Sequence, residues 1–299
     1  MTAVELVADA RAQAGESPWW CTRSQTLWWV DIHGCTLHRY DPATHSDALW
    51  QAPDLVTFVA THRAQGVVIA LRDRIVHADT ALTSLVTIAA PGLRPGQRLN
   101  DGTVDPTGRL WIGAMDCSGE PEATLYRIDH DGRCEAKVTD LRTTNGLAFS
   151  PDGATLYVSD SHPAVRTVWA FDVDLSRGLL THRRVFVDTR ELPGRPDGAC
   201  VDVNGCYWMA AVDGGCLLRF DADGHLVDRV TLPVEKPSKA AFGGPDLRDL
   251  YITSLRRNLA VPVDRQPQAG GLFRVQSAVP GSPLPDCAID VDLASSRVS

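Results

Sequence analysis

Short apolar runs organise this chain, and long amphipathic ones are missing. Six runs pair a bulky apolar residue with small and β-branched neighbours: TLWWVDI (26–32), GVVIAL (66–71), RLWIGAM (109–115), TLYVSD (155–160), CYWMAA (206–211) and DLYITS (249–254). Marked by Trp28, Val68, Trp111, Tyr157, Trp208 and Tyr251, they recur every 40–51 residues. A second strand-like run follows most of them: TLHRYD (36–41), RIVHAD (74–79), TLYRID (124–129), TVWAFDVD (167–174), CLLRFDADG (216–224) and GLFRV (271–275). An earlier run also recurs and ends in a turn: NDGTVDPTG (100–108), NGLAFSPDG (145–153), DGACVDVNG (197–205) and, more loosely, SKAAFGGPD (238–246). These endings are hairpin punctuation, in which glycine supplies positive φ. No long stretch keeps apolar residues at i, i+3, i+4 and i+7, so helices are not expected.

A period near 45 residues with three or four strands per unit predicts propeller blades. Six units use nearly all 299 residues. The expected fold is therefore all-β, a six-bladed β-propeller with a central channel, forming one domain over 1–299. The leftover strand VELVAD (3–8) is expected to pair with the last blade and close the ring, because closure removes the exposed edges that invite aggregation. A β-sandwich with a second β-domain is the alternative, but it leaves the repetition of strand triplets along the whole chain unexplained. The GH…WD pattern of the commonest interaction propellers is missing.

Composition narrows the function more than the fold. With 44% hydrophobic and 22% charged residues, the chain is neither disordered nor a small disulfide knot. The 29 basic and 37 acidic residues give a net charge of −8, so neither nucleic acid nor an anionic membrane is an expected partner. Lys137, Lys236 and Lys239 are the only lysines, a bias we ascribe to codon usage. The N-terminal segment lacks the pattern of a signal peptide, and no window approaches 18 uninterrupted apolar residues. The eight cysteines show no zinc spacing, several lie in apolar runs, and free thiols in a reducing cytoplasm are expected. A monomer is compatible with all of this, and the oligomeric state stays open.

In a propeller the first residues of each innermost strand lie at one mouth of the channel. The aligned runs bring Glu16, Asn100, Asn145, Asp197 and, loosely, Ser238 to that level, with the second blade represented near Thr57. Taken singly, Asn-Gly and Asp-Gly are turn residues. Together, ahead of apolar strands, they make an oxygen-rich set suited to a hard divalent cation. A carboxylate held there away from water is costly unless a cation neutralises it.

The segments GESPWW, LWWVDI, RLNDGTVDPTGRLWIGAM, LYRID, TTNGLAFSPDGATLYVSDS, FDVD, RPDGACVDVNGCYW and FGGPDLRDLYITS, in that order, resemble the SMP-30/gluconolactonase/regucalcin-like family over about residues 10–275. The resemblance is nearest to bacterial sugar lactonases. It implies a six-bladed propeller with one catalytic divalent cation, held by Glu16, Asn145 and Asp197. Asp197 then also serves as general base or positions the attacking water, and Arg98 and Asn100 contact substrate. Some members carry an acidic substrate-binding residue where this chain has Ser118, and Asp116 or Glu120 are the substitutes at hand. The implied reaction is hydrolysis of an aldonolactone such as a glucono-, arabinono- or xylonolactone.

That chemistry follows from the residue types. Ester hydrolysis builds negative charge on the carbonyl oxygen, which a cation with open positions polarises. Asp197 can take a proton from water and pass it to the leaving oxygen, and the Arg98 fork suits hydroxyls or a nascent carboxylate. The metal stays open among calcium, zinc, magnesium, manganese and iron. No HExxH, GxSxG, GxGxxG or P-loop pattern occurs, so a conventional zinc or serine hydrolase or a nucleotide enzyme is not expected. Two other readings remain: an organophosphate or aryl-ester hydrolase on the same cation, and a non-catalytic calcium-binding propeller. Trp19 and Trp20 are expected to pack between blades, and His33, His38, His62 and His77 to lie at the surface or in turns.

Overall fold

The computed structural model describes residues 3–291, so the ends of the expected 1–299 span lie outside the described residues. A short strand, β1 (Glu5–Ala8), precedes the first blade, made of β2 (Gly15–Cys21), β3 (Thr26–Asp31), β4 (Thr36–Asp41) and β5 (Ser46–Gln51). The second blade is β6 (Val56–Thr61), β7 (Val67–Leu71), β8 (Ile75–Ala78) and β9 (Leu85–Ala89). The third is β10 (Gln97–Val104), β11 (Leu110–Asp116), β12 (Ala123–Ile128) and β13 (Cys134–Leu141). The fourth is β14 (Thr144–Phe149), β15 (Thr155–Asp160), β16 (Thr167–Asp174) and β17 (Leu179–Asp188). The fifth is β18 (Arg195–Val201), β19 (Tyr207–Val212), β20 (Cys216–Phe220) and β21 (Leu226–Thr231). The sixth is β22 (Pro237–Gly243), β23 (Asp249–Ser254) and β24 (Leu272–Gln276), completed by β1, which pairs antiparallel with β24. The molecule is a six-bladed β-propeller whose ring is closed by strands from both ends of the chain. Among the described residues no helix is long and apolar enough to cross a membrane.

Burial falls from the channel outwards. Every residue of β2, β6 and β22 is buried, whereas the fourth strands β5 and β21 are largely exposed. That gradient explains why the apolar runs reveal three strands per unit and pass over the fourth. A strand such as LVDRVT has one face in water and no neighbour beyond it, so it carries little apolar signal.

In two of the aligned runs the closing turn is fixed by its own aspartate. Asp105 accepts the N–H groups of Thr107 (2.9 Å) and Arg109 (3.1 Å) and the indole N–H of Trp111 (3.0 Å). Asp202 repeats the arrangement with Asn204 (3.0 Å), Cys206 (3.1 Å) and Trp208 (2.9 Å). One carboxylate thus caps the hairpin and satisfies a buried tryptophan six residues on in both blades. Trp19 packs edge-on against Phe58 of the second blade, and Trp20 stacks on Tyr251 of the sixth, so both tryptophans join blades as expected. All eight cysteines are free.

The histidine expectation is overturned for three residues. His38, His62 and His77 are buried, because each finds an acceptor or ion partner inside the fold. His38 bonds Asp47 (2.8 Å) and stacks on Trp29, His62 reaches the Ile289 carbonyl (2.9 Å), and His77 reaches that of Gln65 (2.9 Å). The segment 277–291 crosses one end of the channel, where the N–H groups of Ser282, Cys287 and Ala288 bond the carbonyls of Val201, Thr61 and Gly108. Beneath it lies an apolar cavity of about 330 Å3, walled by Trp19, Phe149, Phe242 and Leu284. The polar chemistry gathers at the opposite mouth.

Candidate functional site

Every inner strand carries one extra residue near its start. The pairing slips between Glu16 and Trp19, Val56 and Phe58, Leu99 and Gly102, Asn145 and Ala148, Pro196 and Ala199, and Pro237 and Lys239. Such bulges break the strict alternation of side chains and re-aim them, a device common beside active sites. The consequence here is specific. By hydrogen-bond register Glu16 and Asn145 stand level just before their bulges, whereas Asn100 and Asp197 are the first residues within theirs. The alignment through glycine in TNG and PDG is therefore off by one residue. In a regular strand that offset would send Asp197 to the opposite face; the bulge returns it to the mouth.

The result is a cavity of about 340 Å3 at the level of the inner-strand starts and the ends of the second strands. Glu16, Arg98, Asn100, Asn145 and Asp197 all line it. Ser238 and Thr57 do not: the Ser238 hydroxyl is turned to the Gly15 carbonyl and the Thr57 hydroxyl to that of Ala70. Neither Ser118, Asp116 nor Glu120 reaches the cavity. Asp116 instead caps its own turn, accepting the Ser118 N–H at 2.8 Å. The cavity is also lined by Met115, Ser161, His33 and Arg257, to none of which the sequence assigned a site role.

A chain of hydrogen bonds sets the two amides. Arg98 Nη1 donates to Asn100 Oδ1 (2.7 Å), and Asn100 Nδ2 donates to Asn145 Oδ1 (2.9 Å) and to the Thr144 carbonyl (2.9 Å). Asn145 Nδ2 donates to Ser161 Oγ (2.7 Å). The Asn145 oxygen is left with a lone pair free for a cation. Gly146 makes the approach possible: its φ is +60°, and a Cβ there would lie 2.3 Å from the Tyr207 hydroxyl, which donates to the Gly146 carbonyl at 2.8 Å. Gly146→Ala is expected to destabilise the protein by about 1–3 kcal/mol, read as a shift in denaturant midpoint.

One residue deeper, the channel holds a buried ion pair between Asp101 and Lys239. Asp101 also accepts the N–H groups of Gly102 (2.8 Å) and Leu147 (3.1 Å), and Lys239 donates to the Gly102 carbonyl (3.1 Å). Glu16, Asp101 and Asp197 are thus three carboxyls beside one ammonium. Burial, then the neighbouring Asp197 and Asp101, pushes the Glu16 carboxyl well up from its ordinary value. Burial, with Asp101 and Asp213 adding to it against the pull of Arg195, raises Asp197 to about 7. Two negative charges in excess of Lys239, with an amide oxygen beside them, fit a divalent cation by charge and by donor type. A different cluster, Asp221, Asp223 and His225, lies in the exposed hairpin between β20 and β21. There Asp221 accepts the N–H groups of Asp223 (3.0 Å) and His225 (2.9 Å), as turn carboxylates do, and the cluster lines no part of the cavity.

Residues 14–256 match the profile of the SMP-30/Gluconolactonase/LRE-like region. The chain is 39% identical to a 6-deoxy-6-sulfogluconolactonase of Pseudomonas putida, over 91% of this chain and 94% of that one. It is 33% identical to a pentonolactonase of Haloferax volcanii, over 94% of this chain and 96% of that one. Its fold superimposes on the crystal structure of a calcium-binding protein, regucalcin, from Agrobacterium tumefaciens with a TM-score of 0.90, at 30% identity, over 96% of this chain and 97% of that one.

Proposed function

The chain belongs to the SMP-30/gluconolactonase/LRE-like family, and from that premise we propose a divalent-cation-dependent hydrolase that opens a sugar aldonolactone, such as a glucono-, arabinono- or xylonolactone, to its aldonic acid. Relatives named as lactonases match over more than nine-tenths of the chain, which makes this a gluconolactonase-like enzyme. The observation that carries the finer reading is the meeting of Glu16, Asn145 and Asp197 around one cavity, with Asp101 as a third carboxyl behind them and Lys239 as the ammonium beside all three.

Glu16, Asn145 and Asp197 would hold the cation, which supplies Lewis acidity toward the lactone carbonyl. Asn100 and Ser161 fix the orientation of the Asn145 amide, whose oxygen would serve as one of the ligands. Asp197 accepts a proton from the water that attacks the carbonyl carbon. The ring C–O bond then breaks, and the same proton passes to the departing ring oxygen, leaving a hydroxy acid. Arg98, fixed by the Leu99 carbonyl (2.9 Å) and Asn100, presents its remaining N–H groups to substrate oxygens remote from the carbonyl. Burial holds the Arg98 guanidinium down at about 10, still charged at neutral pH.

The test is acid release from a panel of lactones with defined metals and with a chelator. Metal-restored turnover of at least one sugar lactone is expected, and metal-independent or absent turnover across the panel overturns the proposal. Calcium is one candidate, because the Agrobacterium regucalcin is described as calcium-binding. The polar and cationic lining speaks for polyols over apolar aryl esters.

Protons and the cation compete for the same carboxyls. Asp197, raised to about 7, holds a proton in the native state that the unfolded chain has already released. Stability of the cation-free protein therefore falls as pH rises from about 4 to 7. The gain in melting temperature on adding a divalent cation is expected to be small at pH 5 and to grow towards pH 8. A pH-independent gain, measured by thermal denaturation, would place the cation elsewhere.

A further inference from the structure

The cavity holds more positive charge than a neutral lactone needs. Four cationic side chains line it: Arg98, Arg195, Lys236 and Arg257. Arg195 and Lys236 ion-pair with Asp213, and Lys236 also lies 3.8 Å from Glu235. Among the described residues Arg98 and Arg257 make no ion pair. Arg98 is instead bonded to the neutral oxygens of Leu99 and Asn100, and Arg257 is half-buried on the loop after β23. The acid beside that wall, Asp31, is committed to the backbone, accepting the N–H groups of Gln13 and Ala14 at 2.8 Å each. His33 lines the same cavity, near enough to the Arg257 and Arg98 guanidiniums that, after burial, they shift its imidazole down. The carboxyls of the cavity, Glu16 and Asp197, are those assigned above to the cation.

We propose that Arg257, together with Arg98 and His33, forms an oxyanion subsite, so that the preferred lactone carries a second, negatively charged substituent (carboxylate, sulfonate or phosphate) away from its carbonyl. The inference rests on the lactonase reading and deepens it to a substrate class. Planar guanidiniums with free N–H groups match such groups with paired, charge-assisted hydrogen bonds. The wall at the Ser118 register fits this: neither Asp116 nor Glu120 brings a carboxylate into the cavity to repel an anion.

The experiment compares kcat/KM for gluconolactone, a glucarolactone and a phosphogluconolactone in wild type, Arg257→Gln and Arg257→Lys. Wild type is expected to favour at least one anionic lactone, the more so at low salt. Arg257→Gln should lower the ratio of anionic to neutral kcat/KM at least about tenfold, through KM, and Arg257→Lys should restore part of it. An unchanged ratio, or no anionic preference in wild type, overturns the subsite while gluconolactone turnover leaves the lactonase reading standing. The converse is separated by calorimetry on Asp197→Asn with glucarate and gluconate. Tighter glucarate binding that is lost on adding Arg257→Gln supports the subsite even where no lactone is turned over; equal binding of the two acids counts against it.

Discussion

Asp197→Asn is expected to lower kcat for lactone hydrolysis by about a thousandfold or more while the propeller stays folded. The amide keeps an oxygen for a cation but cannot take a proton from water. It also removes one of the carboxyls that burial and like charge hold above their ordinary range, so the cation-free variant should be at least as stable as wild type. Turnover per bound metal, circular dichroism and thermal denaturation together check this. A folded variant with full activity would remove Asp197 as the base.

Lys239→Ala is expected to destabilise the protein by about 3–5 kcal/mol, the cost typical of leaving one partner of a buried ion pair uncompensated. Side-chain exposure is 5% at Lys239 and 2% at Asp101, so water cannot take over the solvation of the orphaned carboxylate. Lys239 is also the ammonium that offsets Glu16 and Asp197, so its loss concentrates negative charge in the channel. Denaturant titration measures the loss. Adding Asp101→Asn to Lys239→Met should recover much of it, because an apolar chain beside a neutral amide leaves no unpaired charge. A Lys239→Ala protein as stable as wild type would mean that the pair contributes nothing to the fold.

Much of the fold was legible in the chain because it rests on local, repeated chemistry. Bulky apolar residues at a period near 45, with turn residues between them, leave few architectures, and the Asp105–Trp111 and Asp202–Trp208 bonds show the same unit built twice. The outermost strands were less legible because their polar sequences answer to one neighbouring strand and to water. The buried histidines were misread for a related reason: a polar ring looks exposed until its partner is seen, and those of His62 and His77 are carbonyls of Ile289 and Gln65.

The site divides along the same line. Residue types at the run starts, with the family resemblance, pointed to Glu16, Arg98, Asn100, Asn145 and Asp197, and these five share one cavity. The bulges did not show in the sequence, because an extra residue in a strand leaves no compositional mark. They decide that Asp197, one position out of register with Asn145, faces the same mouth. Nor could the chain reveal that Lys239 answers Asp101 from 138 positions away, or that Arg257 and His33 line one cavity with Arg98. By itself the sequence determined the blade, its count and the chemistry available at each strand start, since these depend on neighbours along the chain. Which charges meet, and which are left without a partner, was decided only when the ring closed and brought six distant strand ends to one channel mouth.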